Sequence, residues 1–159
     1  MRNSEVLDSS DARLVLALNR SPRASVQALA VELGLARNTV QARLSKLERT
    51  GALTAFTNRL DPAALGYPMT AFITVRVTQQ MLDEVGRALA AIPEVVEVFG
   101  MTGDSDLLVR TVATDAEDLY RIAGRILATP GIERTSTALV MRPMVPHRLQ
   151  LLVERIAQV

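Results

Sequence analysis

The side chains best able to bind a polyanion lie in one short stretch, residues 37–49. Amide, hydroxyl, guanidinium and ammonium groups recur there at positions that share one side of a helix. This polar side comprises Arg37, Asn38, Thr39, Gln41, Ala42, Arg43, Ser45, Lys46 and Arg49. On the other side, Val40, Leu44 and Leu47 have the spacing of an apolar stripe that faces a core. Such a helix offers hydrogen-bonding and cationic groups to the base edges and phosphates of a DNA major groove.

Two roles are predicted within this polar side. The candidates for base contacts are Arg37, Asn38, Gln41 and Ser45. The candidates nearer the phosphates are Thr39, Arg43, Lys46 and Arg49, together with Arg59 further along the chain. Because the sequence does not fix the roll of the helix about its axis, members of the two groups can exchange. Arg43 also has a structural interpretation, in which it pairs with Glu48 or Glu32 and holds the domain together.

The residues on either side predict a domain that presents this helix. Ser25 can cap a helix over residues 26–33, and Gly34 suits the left-handed position that follows a helix end. An earlier helix begins near Asp8, whose carboxylate can cap it. Alternation of apolar and polar residues over Leu53–Leu60 predicts a β-wing. The first 60 residues are therefore predicted to form a winged helix-turn-helix domain.

Composition and charge fit this prediction. The chain has 159 residues, 48% of them hydrophobic, and no cysteine, which rules out disulfides and makes a zinc site unexpected. Residues 1–60 hold nine basic and five acidic residues, a net charge of +4, whereas the remainder is net negative. No apolar run is long enough to span a bilayer, and the start lacks the apolar core of a signal peptide. A cytoplasmic protein with no membrane partner is expected.

After a hinge over residues 61–68, the hydrophobic period changes and predicts a second domain over residues 69–141. Strands are predicted at Met69–Val77, Val95–Met101, Leu107–Ala113 and Ile132–Met141, with helices at Gln80–Ala91 and after Asp115. This order is that of a ferredoxin-like βαββαβ unit, with two helices on one face of an antiparallel sheet. The fold class is therefore α+β.

Two features predict self-association. Phe72, Val98 and Val109 are apolar strand residues expected to face partly outward, and a second copy would bury them in a homodimer. Residues 142–159 form a C-terminal extension, predicted to be helical because apolar residues recur there at helical spacing. We expect this extension to brace the dimer.

The joint spacing of several motifs resembles that of the Lrp/AsnC (leucine-responsive, feast/famine) transcriptional regulators. The motifs are Leu7-Asp-x-x-Asp11, Arg23-Ala-Ser-Val-Gln-Ala-Leu-Ala30, Gly34-Leu35, Thr39-Val40-Gln-Ala-Arg43-Leu, Leu47-Glu-Arg-Thr-Gly51, Leu60-Asp-Pro-Ala-Ala-Leu-Gly66, Thr102-Gly-Asp-Ser-Asp106-Leu-Leu-Val and Pro130-Gly131-Ile. The resemblance covers nearly the whole chain. One departure is Ala36, where the family commonly has a serine that caps the recognition helix. A capping contribution of about 1 kcal/mol is expected to be lost unless Asn38 or Thr39 compensates.

The resemblance implies homodimers, often assembled into octamers, that bind double-stranded DNA and sense a small effector, usually an amino acid, between sensing domains. It places the effector at Met101, Thr102, Gly103, Asp104 and Asp106, with Thr135, Ser136 and Thr137 from a neighbouring copy. A carboxylate suits the ammonium of an amino acid, and the exposed amides of a glycine turn suit its carboxylate. Alternatively, Asp104 and Asp106 only shape the turn.

Two other functions remain open from the residues alone. A small enzyme would have Asp104 and Asp106 as its close carboxylates, but the chain has no cysteine, one histidine and no phosphate loop. A regulatory module that binds proteins would need no basic helix. Steep loss of affinity with salt distinguishes DNA binding from that alternative. The interpretation we adopt is a DNA-binding regulator with no catalytic site, no metal and no cofactor other than an amino-acid effector.

Overall fold

The computed structural model describes residues 6–54 and 60–158 of the chain. The described residues divide into two compact units, one containing residues 6–54 together with 145–158, the other residues 60–144. In chain order the elements are α1 (Ser9–Arg20), α2 (Val26–Leu33), α3 (Arg37–Arg49), β1 (Met69–Val77), α4 (Leu82–Ala90), β2 (Val95–Gly100), β3 (Leu107–Ala113), α5 (Ala116–Leu127), β4 (Ile132–Leu139) and α6 (Gln150–Ala157). Across the two described ranges, every helix is too short or too polar to cross a bilayer.

Local signals set the ends of the first helices, as the sequence predicts. The Asp8 carboxylate accepts a hydrogen bond of 2.7 Å from the Asp11 amide at the start of α1. The Ser25 hydroxyl accepts one of 3.1 Å from the Ala28 amide at the start of α2. Gly34 ends α2 in the left-handed region, with φ of +66°. The helix-turn-helix over α2 and α3 is therefore present.

The core of the first unit is apolar and draws on all three of these helices. Its buried members are Leu14, Ala17, Leu29, Ala30, Leu33, Val40 and Leu47. Helix α6 packs against α1, so the predicted C-terminal extension is helical over Gln150–Ala157, and that helix belongs to the N-terminal unit of its own chain. The expectation that the extension braces a dimer stays a prediction. A groove of about 330 Å³ lies between α1 and the segment that leads into α6.

The predicted wing falls mostly on residues 55–59, which lie outside the described residues, as does Arg59. The described residues before them, Leu53 and Thr54, are not in a strand. The Leu53 amide instead donates to the Leu47 carbonyl at 3.1 Å, and the Leu53 side chain packs on the core of the first unit. The chain thus folds back onto α3 directly after that helix ends.

The second unit is a four-stranded antiparallel sheet in the order β2-β3-β1-β4, with α4 and α5 packed on it. This arrangement confirms the ferredoxin-like βαββαβ fold. A short 3-10 turn over Pro62–Leu65 lies in the predicted hinge, and another over Gln79–Met81 leads into α4. The core beneath the helices contains Ile73, Val75, Val85, Leu89, Val109, Ile122 and Ile126.

The register of the strands corrects one prediction about the open face of this sheet. Val109 is fully buried on the helix-covered face, opposite Ile73, and Val98 shares that face and packs against the core. Only Phe72 of the three predicted residues lies on the open face, where its neighbours on β3 and β4 are Arg110 and Ala138. Phe99 of β2 is also on the open face and is 46% exposed.

Candidate functional site

The polar side of α3 is exposed to solvent. Val40 and Leu47 are buried, so the positions opposite them on a helix of 100° per residue point directly outward. This outward row comprises Asn38, Ala42, Ser45 and Arg49, all exposed. Arg37 and Gln41 flank the row on one side and are also exposed. The arrangement places amide, hydroxyl and guanidinium groups on a rod whose opposite stripe anchors it to the core.

The other flank of α3 holds Thr39, Arg43 and Lys46 and lies beside the start of α1. The Arg43 guanidinium donates to the carboxylates of Asp8 at 2.7 Å and Asp11 at 2.6 Å. The Lys46 Nζ is 3.7 Å from Asp11, whose side chain is only 1% exposed. This cluster fixes the α3 flank to α1 by charge as well as by apolar packing.

Arg43 therefore has the structural role that the sequence left open, but with other partners. Neither Glu48 nor Glu32 pairs with it, and Glu32 instead pairs with Arg20 at 2.5 Å. Hydrogen bonding from Arg43 holds the pKa of the Asp8 carboxyl below its ordinary value. Hydrogen bonds to Asp8 and Asp11 raise the pKa of Arg43 in return. The guanidinium is thus committed to carboxylates within its own domain.

The start of α3 lacks a side-chain cap, as the sequence predicts. Ala36 occupies the capping position in an extended conformation, and neither Asn38 nor Thr39 supplies the missing hydrogen bond. The amides of the first turn of α3 are consequently left to solvent or to a ligand such as a phosphate.

The predicted effector loop, residues 101–106, joins β2 to β3. The Met101 amide donates to the Asp106 carbonyl at 2.8 Å and closes the loop. The Asp106 carboxylate accepts hydrogen bonds from the Val77 amide at 2.8 Å and from the Gln79 side chain at 2.6 Å. Asp106 therefore anchors the loop to the end of β1, which is the turn-shaping role that the sequence left as an alternative.

A pocket of about 200 Å³ lies beside this loop on the open face of the sheet. It is lined by Thr74, Arg76, Asp104, Ser105, Arg134, Thr135 and Ser136. The structure thus brings together three of the predicted effector residues, Asp104, Thr135 and Ser136, within one chain. The described residues offer the Asp104 carboxylate no hydrogen-bond or ion-pair partner, so it is available to a ligand.

The remaining predicted effector residues do not line the pocket. Met101, Thr102 and Gly103 are exposed on the outer part of the loop. Thr137, two residues beyond Thr135 on β4, is not part of the pocket lining. The sequence prediction also missed Arg76 and Arg134, which are opposite each other on β1 and β4. One indication of them was present in the sequence: each arginine lies two residues from a polar residue on the same face of its strand, Thr74 on β1 and Ser136 on β4.

Comparison with known proteins agrees with both parts of this geometry. The model of the AsnC-type helix-turn-helix domain matches residues 7–48, and that of the Lrp/AsnC ligand binding domain matches residues 70–150. The chain belongs to the Lrp/AsnC family of transcriptional regulators. The HTH-type transcriptional regulator FL11 of Pyrococcus horikoshii is 37% identical over 136 residues, which are 86% of this chain and 90% of that protein.

Two solved structures share the Lrp/AsnC fold with this chain. AsnC of E. coli has a TM-score of 0.81 at 21% identity and covers 92% of this chain and 99% of its own. A transcriptional regulator of Neisseria meningitidis, solved as a complex with L-Met, has a TM-score of 0.75 at 22% identity and covers 88% and 93%. The Lrp/AsnC relatives are regulators of transcription, so the hypothesis of a small enzyme using Asp104 and Asp106 is wrong.

Proposed function

We propose that this Lrp/AsnC regulator binds double-stranded DNA as a homodimer, with α3 of each copy in the major groove. The observation that carries the proposal is the exposure of the outward row of α3 while the opposite stripe is buried. A helix of this kind reads bases mainly with residues toward its start. Asn38, Gln41, Ala42 and Ser45 are therefore assigned to base edges, with Arg37 beside them.

The phosphate contacts are assigned to the residues around this reading surface. Thr39 and Lys46 lie on the α1 flank, and Arg49 lies at the end of the outward row. Arg59 stays a proposed phosphate contact from the sequence alone. Arg43 is removed from the set, because its guanidinium is held by Asp8 and Asp11.

Salt dependence of DNA binding tests this assignment. Arg49→Gln removes one phosphate contact from each copy, so the slope of log affinity against log salt concentration should become shallower by about 2 per dimer. Fluorescence anisotropy with a labelled operator duplex, over a series of salt concentrations, measures the slope.

The matched control is Arg87→Gln, the same change at an exposed arginine of α4 in the other unit. It should leave the slope unchanged. Equal slopes for the Arg49 and Arg87 variants would contradict the placement of DNA on α3.

The second part of the proposal is an amino-acid effector bound at the pocket beside residues 101–106, between sensing units of neighbouring copies. Support comes from the ligand-binding domain match and from the L-Met complex of the Neisseria meningitidis protein. Dimers, assembled further into octamers, would bury Phe72 and Phe99 of the open sheet face. Binding would change the arrangement of the copies and so the spacing of the two α3 helices. Calorimetric titration with each of the twenty amino acids tests this part. If none of the twenty gives heat of binding, the effector proposal is refuted.

A further inference from the structure

Two arginines side by side in the effector pocket point to the class of effector. We propose that the pocket selects an acidic amino acid, aspartate or glutamate, whose two carboxylates bind Arg76 and Arg134 while its ammonium binds Asp104. This inference rests on the proposed effector function and makes it more specific.

The two arginines lie next to each other on adjacent strands. Arg76 of β1 and Arg134 of β4 are direct partners in the antiparallel register, so their side chains emerge next to each other on the open face. Neither guanidinium has a hydrogen-bond or ion-pair partner among residues 6–54 and 60–158. Like charges directly opposite each other destabilise a sheet. The repulsion between Arg76 and Arg134 is not offset by any acidic partner within the described fold. Such an uncompensated repulsion is expected where a ligand supplies the opposite charge.

The neighbouring arginine on the same face is arranged differently. Arg110 of β3 faces Glu97 of β2 and donates to its carboxylate at 3.1 Å. Arg110 is thus neutralised by Glu97 of the same sheet, whereas Arg76 and Arg134 can bind an anion. The contrast separates a structural arginine from two that are available to bind.

The charges of the pocket match an acidic amino acid. Two arginines and Asp104 give the lining a net charge of +1, and the described lining contains no other charged side chain. Aspartate and glutamate at neutral pH carry two carboxylates and one ammonium, a net charge of −1. The volume of about 200 Å³ lies below the roughly 300 Å³ at which pockets for drug-sized ligands begin, so it fits a small metabolite.

The chemistry of the guanidinium makes the choice between acid and amide sharp. Arginine can donate two parallel hydrogen bonds to one carboxylate, and such charged pairs are about twice as strong as neutral ones. Glutamine and asparagine have nearly the same shape as the acids, but replace one carboxylate by a neutral amide, whose single oxygen cannot accept two parallel hydrogen bonds from a guanidinium. Thr74 and Ser136 add hydroxyls on the same face, and these accept or donate without distinguishing the two classes.

Calorimetric titration of the full-length protein with L-glutamate, L-glutamine, L-aspartate and L-asparagine tests the proposal. Each acid should bind at least about tenfold more tightly than its amide. Of Arg76→Gln and Arg134→Gln, the substitution at the arginine that binds the side-chain carboxylate should reduce that preference by about tenfold or more and leave the affinity for the amides nearly unchanged. The other substitution removes the partner of the α-carboxylate, which acids and amides share, and should weaken the binding of both. Arg110→Gln is the matched control on the same face and should keep the preference.

Thermal unfolding keeps the test independent of folding defects. Because either substitution removes a like-charge neighbour, the Arg76 and Arg134 variants should melt no lower than the native protein. Amides that bind as tightly as acids would overturn the acidic-effector inference while leaving the effector proposal intact. A preference for acids over amides that persists in both arginine variants would also overturn the acidic-effector inference and leave the effector proposal intact. Absence of binding by all twenty amino acids would overturn the effector proposal itself, and this inference with it.

Discussion

Replacement of Arg43 by alanine should lower the free energy of unfolding of the N-terminal unit by about 2–4 kcal/mol. The substitution leaves the Asp11 carboxylate, 1% exposed, without the 2.6 Å hydrogen bond that neutralises it. A buried charge that loses its partner is costly because neither water nor the protein then stabilises it. The Lys46 ammonium at 3.7 Å remains and keeps the loss below that of a fully isolated charge. Urea-induced unfolding, followed by circular dichroism, measures the change.

Arg49→Ala is the control for this prediction, since Arg49 is exposed on the same helix and should change stability by no more than about 0.5 kcal/mol. In DNA binding the order of the two variants should be reversed, because Arg49→Ala should make the salt slope shallower. At a temperature where both are folded, Arg43→Ala should keep the salt slope of the native protein. An Arg43 variant as stable as the native protein, with a shallower salt slope, would return Arg43 to the phosphate contacts.

The dependence of stability on pH provides a further readout of the same cluster. Arg43 holds the pKa of Asp8 below its ordinary value in the folded state, so the ionised carboxylate stabilises the fold. That stabilisation is fully present above the pKa of the unfolded chain and is lost as pH falls through the lowered pKa of the folded state. Since Asp8 is half exposed, the effect is screened by solvent and small. In the Arg43 variant the acid-side loss of stability should be weaker.

Local signals allowed the helix-turn-helix to be predicted from the sequence. Ser25 and Gly34 set the ends of α2 through contacts within a few residues, and the stripe of α3 requires no knowledge of the rest of the fold. The partner of Arg43 was not predictable in this way. Asp8 and Asp11 lie 35 and 32 residues earlier, and only the packing of α1 on α3 brings them within reach.

The sheet shows the same division between local and distant information. The strands and their order followed from hydrophobic alternation and turn residues, but both faces of β3 carry apolar residues, so the alternation did not show that Val109 faces the helices. Arg76 and Arg134 are far apart in the sequence and become neighbours only through the β1–β4 register. The pocket was therefore located by its loop, while its charged partners required the pairing of strands.

Replacement of Gly131 by alanine should destabilise the C-terminal unit by about 2–5 kcal/mol. Gly131 lies between α5 and β4 with φ of +93°, a conformation that alanine adopts only with strain. A Cβ there would also lie 2.8 Å from the Met81 Cβ and 3.1 Å from a methyl group of Val85. The Met81 atom is close to the backbone and cannot move aside as the tip of a side chain could. Denaturant unfolding of the full-length protein measures the loss.

Gly66→Ala separates strain from crowding, because Gly66 has a similar φ of +89° but no atom within 4 Å of the added Cβ. It should cost only the backbone strain, about 1–2 kcal/mol. Equal losses for the two variants would show that the contact with Met81 relaxes freely. Gly131 lies three residues before Arg134 of β4, and its carbonyl accepts a hydrogen bond of 2.9 Å from the Thr78 amide. A Gly131→Ala variant that stays folded should therefore shift the start of β4 and lose effector affinity, whereas Gly66→Ala should retain it.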